Sequence, residues 1–91
     1  MDAGAKITVK GIVQGVGYRW FADRAARRYD LKGFVENKSS GDVYLEVEGE
    51  EGLIRDFVKE LSVGPRGAHV DDVIVSWEKP KFLFIGFKIK A

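Results

Sequence analysis

Cysteine is absent from the 91 residues, which excludes disulfides, cysteine-ligated zinc, iron–sulfur clusters and thiol nucleophiles. A single histidine, His69, is too few for a multi-histidine metal site. Neither sign of charge dominates: 15 Lys and Arg face 14 Asp and Glu, for a net charge of +1. Nucleic-acid and membrane-surface binders normally carry a basic excess, so both classes are disfavoured. No apolar run approaches the roughly 20 residues of a membrane span, and the N-terminus lacks the charged-then-apolar pattern of a secretory signal. Amides are scarce too, with Gln14 the only glutamine and Asn37 the only asparagine. Together with one methionine, this shortage of thermolabile side chains fits a heat-adapted protein. These absences predict one cytoplasmic domain over residues 1–91. It is expected to be a monomer that uses no metal or cofactor and partners neither nucleic acid nor membrane.

What is present is a 45% hydrophobic content, enough for one modest core, and 11 glycines against two prolines. Ile7, Val9, Gly11 and Val13 alternate with Lys6, Thr8, Lys10 and Ile12, the pattern of a half-buried strand. From Trp20 to Leu31, Phe21, Ala25 and Tyr29 recur at helical spacing beside Ala22 and Ala26. Arg24, Arg27 and Arg28 face away, and Gly33 reads as the stop signal. A hairpin follows: Phe34–Asn37, a Lys38-Ser39-Ser40-Gly41 turn with Gly41 suited to positive φ, and Asp42–Glu48. There Val43, Leu45 and Val47 point one way and Tyr44, Glu46 and Glu48 the other. Leu53, Ile54, Phe57, Val58 and Leu61 give a second helix, with Glu50 and Glu51 near its start and Gly64-Pro65 at its end. Val73, Val75 and Trp77 form a further strand, and Phe87 and Ile89 a short last one. Trp20, Phe21, Tyr29 and Trp77 are expected to pack in the core or on the helix face. The order β-α-β-β-α-β with a C-terminal strand predicts an α+β ferredoxin-like split βαβ sandwich, two helices covering one face of an antiparallel sheet.

The chemistry-bearing segment is Gln14-Gly15-Val16-Gly17-Tyr18-Arg19, between the first strand and the first helix. Glycines there let successive N–H groups turn inward, and the helix start adds unsatisfied donors and a positive dipole end. That is a nest for an anion such as phosphate. Arg19 can fork onto two oxygens of the same anion. A glycine-rich turn can equally serve strand-to-helix geometry alone. The loop lacks the Gly-Lys-Ser/Thr ending of a Walker A motif and the dinucleotide fingerprint, so a nucleotide is not indicated. Asn37, before the hairpin turn, can be a turn cap. Yet a chain that avoids amides elsewhere keeps one on each of these two segments, and a neutral amide donates and accepts at once, as a held water requires. Residues 1–35 carry a net +4, residues 36–60 −5 and residues 61–91 +2, so the loop lies in a basic stretch. His69 reads as an exposed loop residue. Asp71-Asp72 point in opposite directions at a strand start and read as surface.

The sequence resembles the acylphosphatase family. The family pattern G-x-V-Q-G-V-x-[FY]-R corresponds to Gly11-Ile12-Val13 leading into Gln14 through Arg19. N-x-x-[DG]-G-x-V corresponds to Asn37 through Val43, and G-P-x-x-A-x-V to Gly64 through Val70. Ser40 departs from the commoner aspartate or glycine. The resemblance implies metal-independent hydrolysis of an acyl phosphate, a small-molecule substrate, to carboxylate and inorganic phosphate. It implies that Arg19 binds the phosphoryl group, Asn37 orients the attacking water, and the amides of Gly15, Val16, Gly17, Tyr18 and Arg19 cradle the remaining oxygens. The alternative is a non-catalytic phosphate- or small-molecule-binding ferredoxin-like module. An RNA-recognition module of the same topology is opposed by Glu46 and Glu48 beside Tyr44, which would repel a nucleic-acid backbone. The hydrogenase-maturation carbamoyltransferases carry a similar module within a much longer chain; the present length favours a free-standing enzyme.

Overall fold

The computed structural model describes residues 1–91. The elements run β1 (Asp2–Ile12), α1 (Tyr18–Arg28), β2 (Lys32–Asn37), β3 (Val43–Glu50), α2 (Glu51–Val63), β4 (His69–Glu78) and β5 (Phe87–Ile89). The strands form one sheet in the order β4-β1-β3-β2-β5. The four long strands pair antiparallel, whereas β5 joins β2 in parallel, so the sheet is mixed rather than wholly antiparallel. The reason is the path of residues 79–86. This strap leaves β4 at one sheet edge and crosses at the end where β2 begins. It therefore enters β5 running the same way as β2.

The alternation read in the sequence sets the core. Ala5, Ile7 and Val9 of β1, Val35 of β2, and Val43, Leu45 and Val47 of β3 are fully buried with Ala22, Ala25 and Ala26 of α1 and Ile54, Phe57 and Leu61 of α2. The three alanines let α1 lie close to the sheet. The opposite sheet face is open apart from the strap, whose Phe84 stacks edge-on against Phe34 with ring centroids 5.9 Å apart.

Glu50 caps α2, its carboxylate accepting from the N–H groups of Gly52 and Leu53 at 3.1 Å each. Gly64 ends the helix at φ 73°, as its place in the sequence suggests. At the end of α1 the outcome differs. Asp30 closes the helix in the left-handed conformation, with φ 57°, whereas Gly33 has φ 144° further along the chain. Gly33 lies within β2, where a Cβ would sit 1.8 Å from the Glu46 carbonyl oxygen, so its positive φ and the strand contact, rather than helix termination, demand glycine. Two tryptophans also depart from expectation. Trp77 is 40% exposed near the end of edge strand β4 and Trp20 is 59% exposed on α1. Their rings instead stack against the guanidinium groups of Arg55 and Arg24. Glu48 departs in the other direction. It is buried beneath the strap, its carboxylate accepting from the N–H groups of Lys81 and Phe82.

Candidate active site

Four chain segments end at the same edge of the fold: β1 running into the glycine loop, the start of α1, the end of β2 and the end of β5. Between them lies a cavity of about 210 Å³ lined by Val13, Gly15, Gly17, Tyr18, Arg19, Trp20, Asn37 and Ile89. The loop, Arg19 and Asn37 therefore share one cavity, as their sequence motifs suggest.

Gly15 and Gly17 both adopt φ 77°, and a Cβ at either would meet nothing within 4 Å. They are needed for backbone direction, not for close approach. Gly17 caps α1 in the left-handed conformation without a side-chain hydrogen bond. None of the backbone N–H groups from Gly15 to Trp20 donates to an acceptor in the chain. This leaves a run of donors at a positive helix end, the arrangement that suits an anion. Val16 departs from its neighbours. Its side chain packs on the core and does not line the cavity, so only its N–H can contribute. Tyr18 turns inward, its hydroxyl donating to the Leu61 carbonyl at 2.6 Å. Burial pushes this phenol well above its ordinary pKa, so it stays protonated and structural.

Arg19 projects from the first turn of α1, and its Nη1 donates to the Lys90 carbonyl at 2.9 Å. Lys90 is itself fixed by its N–H to Val35 at 2.8 Å. One edge of the guanidinium is thus held by the C-terminal strand while its other donors remain available to a ligand. Asn37 pairs through its backbone with Val43 at the end of β2. Its Oδ1 is buried and accepts no hydrogen bond from the chain. A buried acceptor without a donor is costly, so its retention on a cavity wall points to an external donor.

Gln14 has a different task from Asn37. Its Nε2 donates to the carbonyls of Lys38 at 2.8 Å and Asp42 at 2.9 Å, clasping the glycine loop to the β2–β3 turn. Lys10 reinforces the same junction through a 2.9 Å ion pair with Asp42, which holds that carboxyl below its ordinary pKa. The amide depletion did point to both residues. Only the geometry separates the clasp from the free acceptor. The Lys90 carbonyl has no sequence signal at all, lying 71 positions from Arg19. Trp20 and Ile89 were readable as apolar residues but not as cavity lining.

His69 lies at the exposed start of β4, paired with Ile12 of β1; its Nε2 is 3.1 Å from Asp71, and it is not among the residues that line the cavity. Another cleft, of about 300 Å³, is lined by Asp2, Asp30, Glu48 and Glu50 among others. It lies at the opposite end of the sheet. Its carboxylates would repel a phosphate, whereas the smaller cavity has an arginine and no carboxylate in its lining.

The sequence profile of the acylphosphatase family matches residues 5–89. An acylphosphatase of Thermotoga maritima is 43% identical over 76 residues, covering 84% of each chain. One from Salinibacter ruber is 43% identical over 86 residues, covering 94% of this chain and 88% of its own. Among solved structures, the acylphosphatase of Bacillus subtilis superposes with a TM-score of 0.94 at 32% identity over the whole of both chains. A full-length HypF in a phosphate- and nucleotide-bound form matches with a TM-score of 0.91 at 40% identity, but there the match spans only 12% of the longer chain. Sequence profile, relatives and fold agree with the motif-bearing loop and hairpin just described, and the chain belongs to the acylphosphatase family.

Proposed function

We propose that this chain hydrolyses the carboxyl–phosphate bond of small acyl phosphates, acting as a monomer and without a metal. The phosphoryl group sits on the N–H groups of Gly15 to Arg19, with the free edge of the Arg19 guanidinium on its equatorial oxygens. Asn37 Oδ1 accepts a hydrogen bond from the attacking water and so turns the water's lone pair toward phosphorus. As the water oxygen bonds to phosphorus, the bond to the acyl oxygen breaks. The carboxylate leaves with the electron pair, and the water's proton passes to a phosphoryl oxygen. A carboxylate leaves readily, so the reaction needs neither a strong general acid nor a metal to expel it. Positioning and charge stabilisation carry most of the work in such phosphoryl transfers. Ordinary phosphate monoesters have far poorer leaving groups and are not expected to turn over.

The observation that carries this reading is the buried, partnerless Oδ1 of Asn37, a residue that lines one cavity with Arg19 and the glycine loop. The test is hydrolysis of benzoyl phosphate in the presence of a chelator, wild type beside Arg19→Ala. Turnover is expected to survive the chelator and to fall on the order of 10³-fold in the variant, by comparison with arginines that stabilise phosphoryl-transfer transition states. A wild-type protein that binds phosphate but turns over no acyl phosphate would instead be the non-catalytic module.

A further inference from the structure

The phosphate end of the cavity is polar, but its outer wall is not. Trp20 is 59% exposed and Ile89 42% exposed, and both line the cavity, with fully buried Val13 also contributing to its lining. Neither large side chain belongs to the hydrophobic core. Trp20 has one aromatic contact, the Arg24 guanidinium 4.6 Å from its ring centroid on the next turn of α1. That contact holds the indole against the helix but leaves much of it open to solvent. An indole on α1 and an isoleucine on β5, half-uncovered and lining the same cavity as the glycine loop, do little for the fold. They are placed to contact whatever projects from the anion.

We infer that Trp20 and Ile89 form the acyl-group subsite, and that they select aromatic and bulky aliphatic acyl phosphates over small or charged ones. The inference rests on the proposed hydrolysis, because it places the phosphoryl group on the loop. With phosphorus held there and the attacking water on Asn37, in-line displacement directs the acyl group away from both, toward the rest of the lining, Val13, Trp20 and Ile89. The acyl carbonyl and its substituent then lie between an indole face and a branched aliphatic side chain. No carboxylate lines this cavity, and Arg19, its one charged lining residue, is committed to the phosphoryl group. A charged acyl substituent would gain no partner from the wall and would lose water on entering. A phenyl or branched alkyl group would be stabilised by leaving water and, for a ring, by offset stacking on Trp20. The family resemblance and the cradle geometry are silent on this choice, since both concern the phosphoryl half of the substrate.

The experiment compares kcat/KM for benzoyl phosphate and acetyl phosphate in the wild type, in Trp20→Ala and in Ile89→Ser. Inhibition by inorganic phosphate is measured alongside to report the loop independently. The benzoyl-to-acetyl ratio is expected to fall about tenfold in Trp20→Ala, the scale on which small apolar pockets discriminate. The change should appear mainly in KM for benzoyl phosphate, with the phosphate inhibition constant within about twofold of wild type. Ile89→Ser should lower the same ratio, and it decides the matter if Trp20→Ala does not fold. A ratio unmoved in the folded variants, with phosphate inhibition intact, overturns the subsite while leaving the hydrolytic reading in place. Absence of turnover on both substrates in the wild type defeats the hydrolytic reading and takes this inference with it.

Discussion

Replacing Asn37 by alanine should move stability and activity in opposite directions. The side chain makes no hydrogen bond within the chain, and its Oδ1 is buried without a donor. An unpaired buried acceptor costs about 1–3 kcal/mol. Because Asn37 is a lining residue of an open cavity, the low end applies, and removing the oxygen should stabilise the fold by about 1 kcal/mol. The backbone pairing with Val43 is untouched by the substitution. For a chain of 91 residues, that corresponds to a rise in Tm of roughly 4–8 °C. Turnover should fall at least ~10²-fold, the penalty attached to a reactant misplaced by about an ångström. Inhibition by inorganic phosphate should change little, since Arg19 and the loop donors remain. Calorimetry and benzoyl phosphate kinetics on the same preparation give all three quantities. A lowered Tm would mean that Asn37 serves as a turn cap, and an unchanged kcat would remove it from the reaction. Either result refutes the reasoning.

Other perturbations separate fold from site. Gly33→Ala drives a Cβ to within 1.8 Å of the Glu46 carbonyl oxygen and should cost about 3 kcal/mol or more, read as a collapse of Tm. Gly17→Ala meets no atom within 4 Å and should cost only about 1 kcal/mol for its left-handed backbone, so activity should suffer more than stability. Gln14→Ala removes the two bonds to the hairpin turn; a loss of about 1–2 kcal/mol in denaturant unfolding should accompany a lowered kcat, and the shorter Gln14→Asn should not restore it. Glu50 is held below its ordinary pKa first by the Gly52 N–H and then by the Leu53 N–H. A carboxyl whose folded pKa is depressed contributes stability that is present above its unfolded pKa and lost as pH falls through the folded one. The Tm gap between wild type and Glu50→Gln should therefore be full at neutral pH and close as the solution is acidified below the usual carboxylate range. A gap that persists at low pH would show that the charge is irrelevant to the cap.

The sequence reading succeeded where a local pattern has one physical meaning. Strict alternation in β1 and β3 can bury only one face, and Gly41 and Gly64 take the positive φ that their positions after a turn and a helix suggest. It failed where a residue's neighbour is distant in the chain. Gly33 follows a helical run closely enough to pass for its terminator, but what requires glycine there is its positive φ and the backbone of β3 across the sheet. Glu48 alternates outward like any solvated residue and is buried only because the strap folds over it. The direction of β5 depends on that same strap, which has no periodicity to read. Within the site, the motifs made Arg19 and Asn37 legible, while the Lys90 carbonyl that holds Arg19 could be found only in the folded chain.

The chemistry proposed for the cavity also explains why its orienting group is an amide. A carboxylate at position 37 would face the anionic phosphoryl group, raising the cost of binding substrate in a small cavity where such repulsion is poorly screened. It would also compete with the phosphoryl oxygens for the water's proton. A protonatable imidazole would hold water well in only one of its charge states, making turnover follow its titration. The carboxamide oxygen accepts a hydrogen bond at every pH at which the fold survives and takes no proton. On this mechanism Asn37→Asp, though nearly isosteric, should be a worse enzyme than its size suggests, losing phosphate affinity as well as kcat. Asn37→Ala should lose kcat alone. The contrast between the two phosphate inhibition constants measures the electrostatic cost directly, and equal constants would show that the amide's neutrality is not what the site requires.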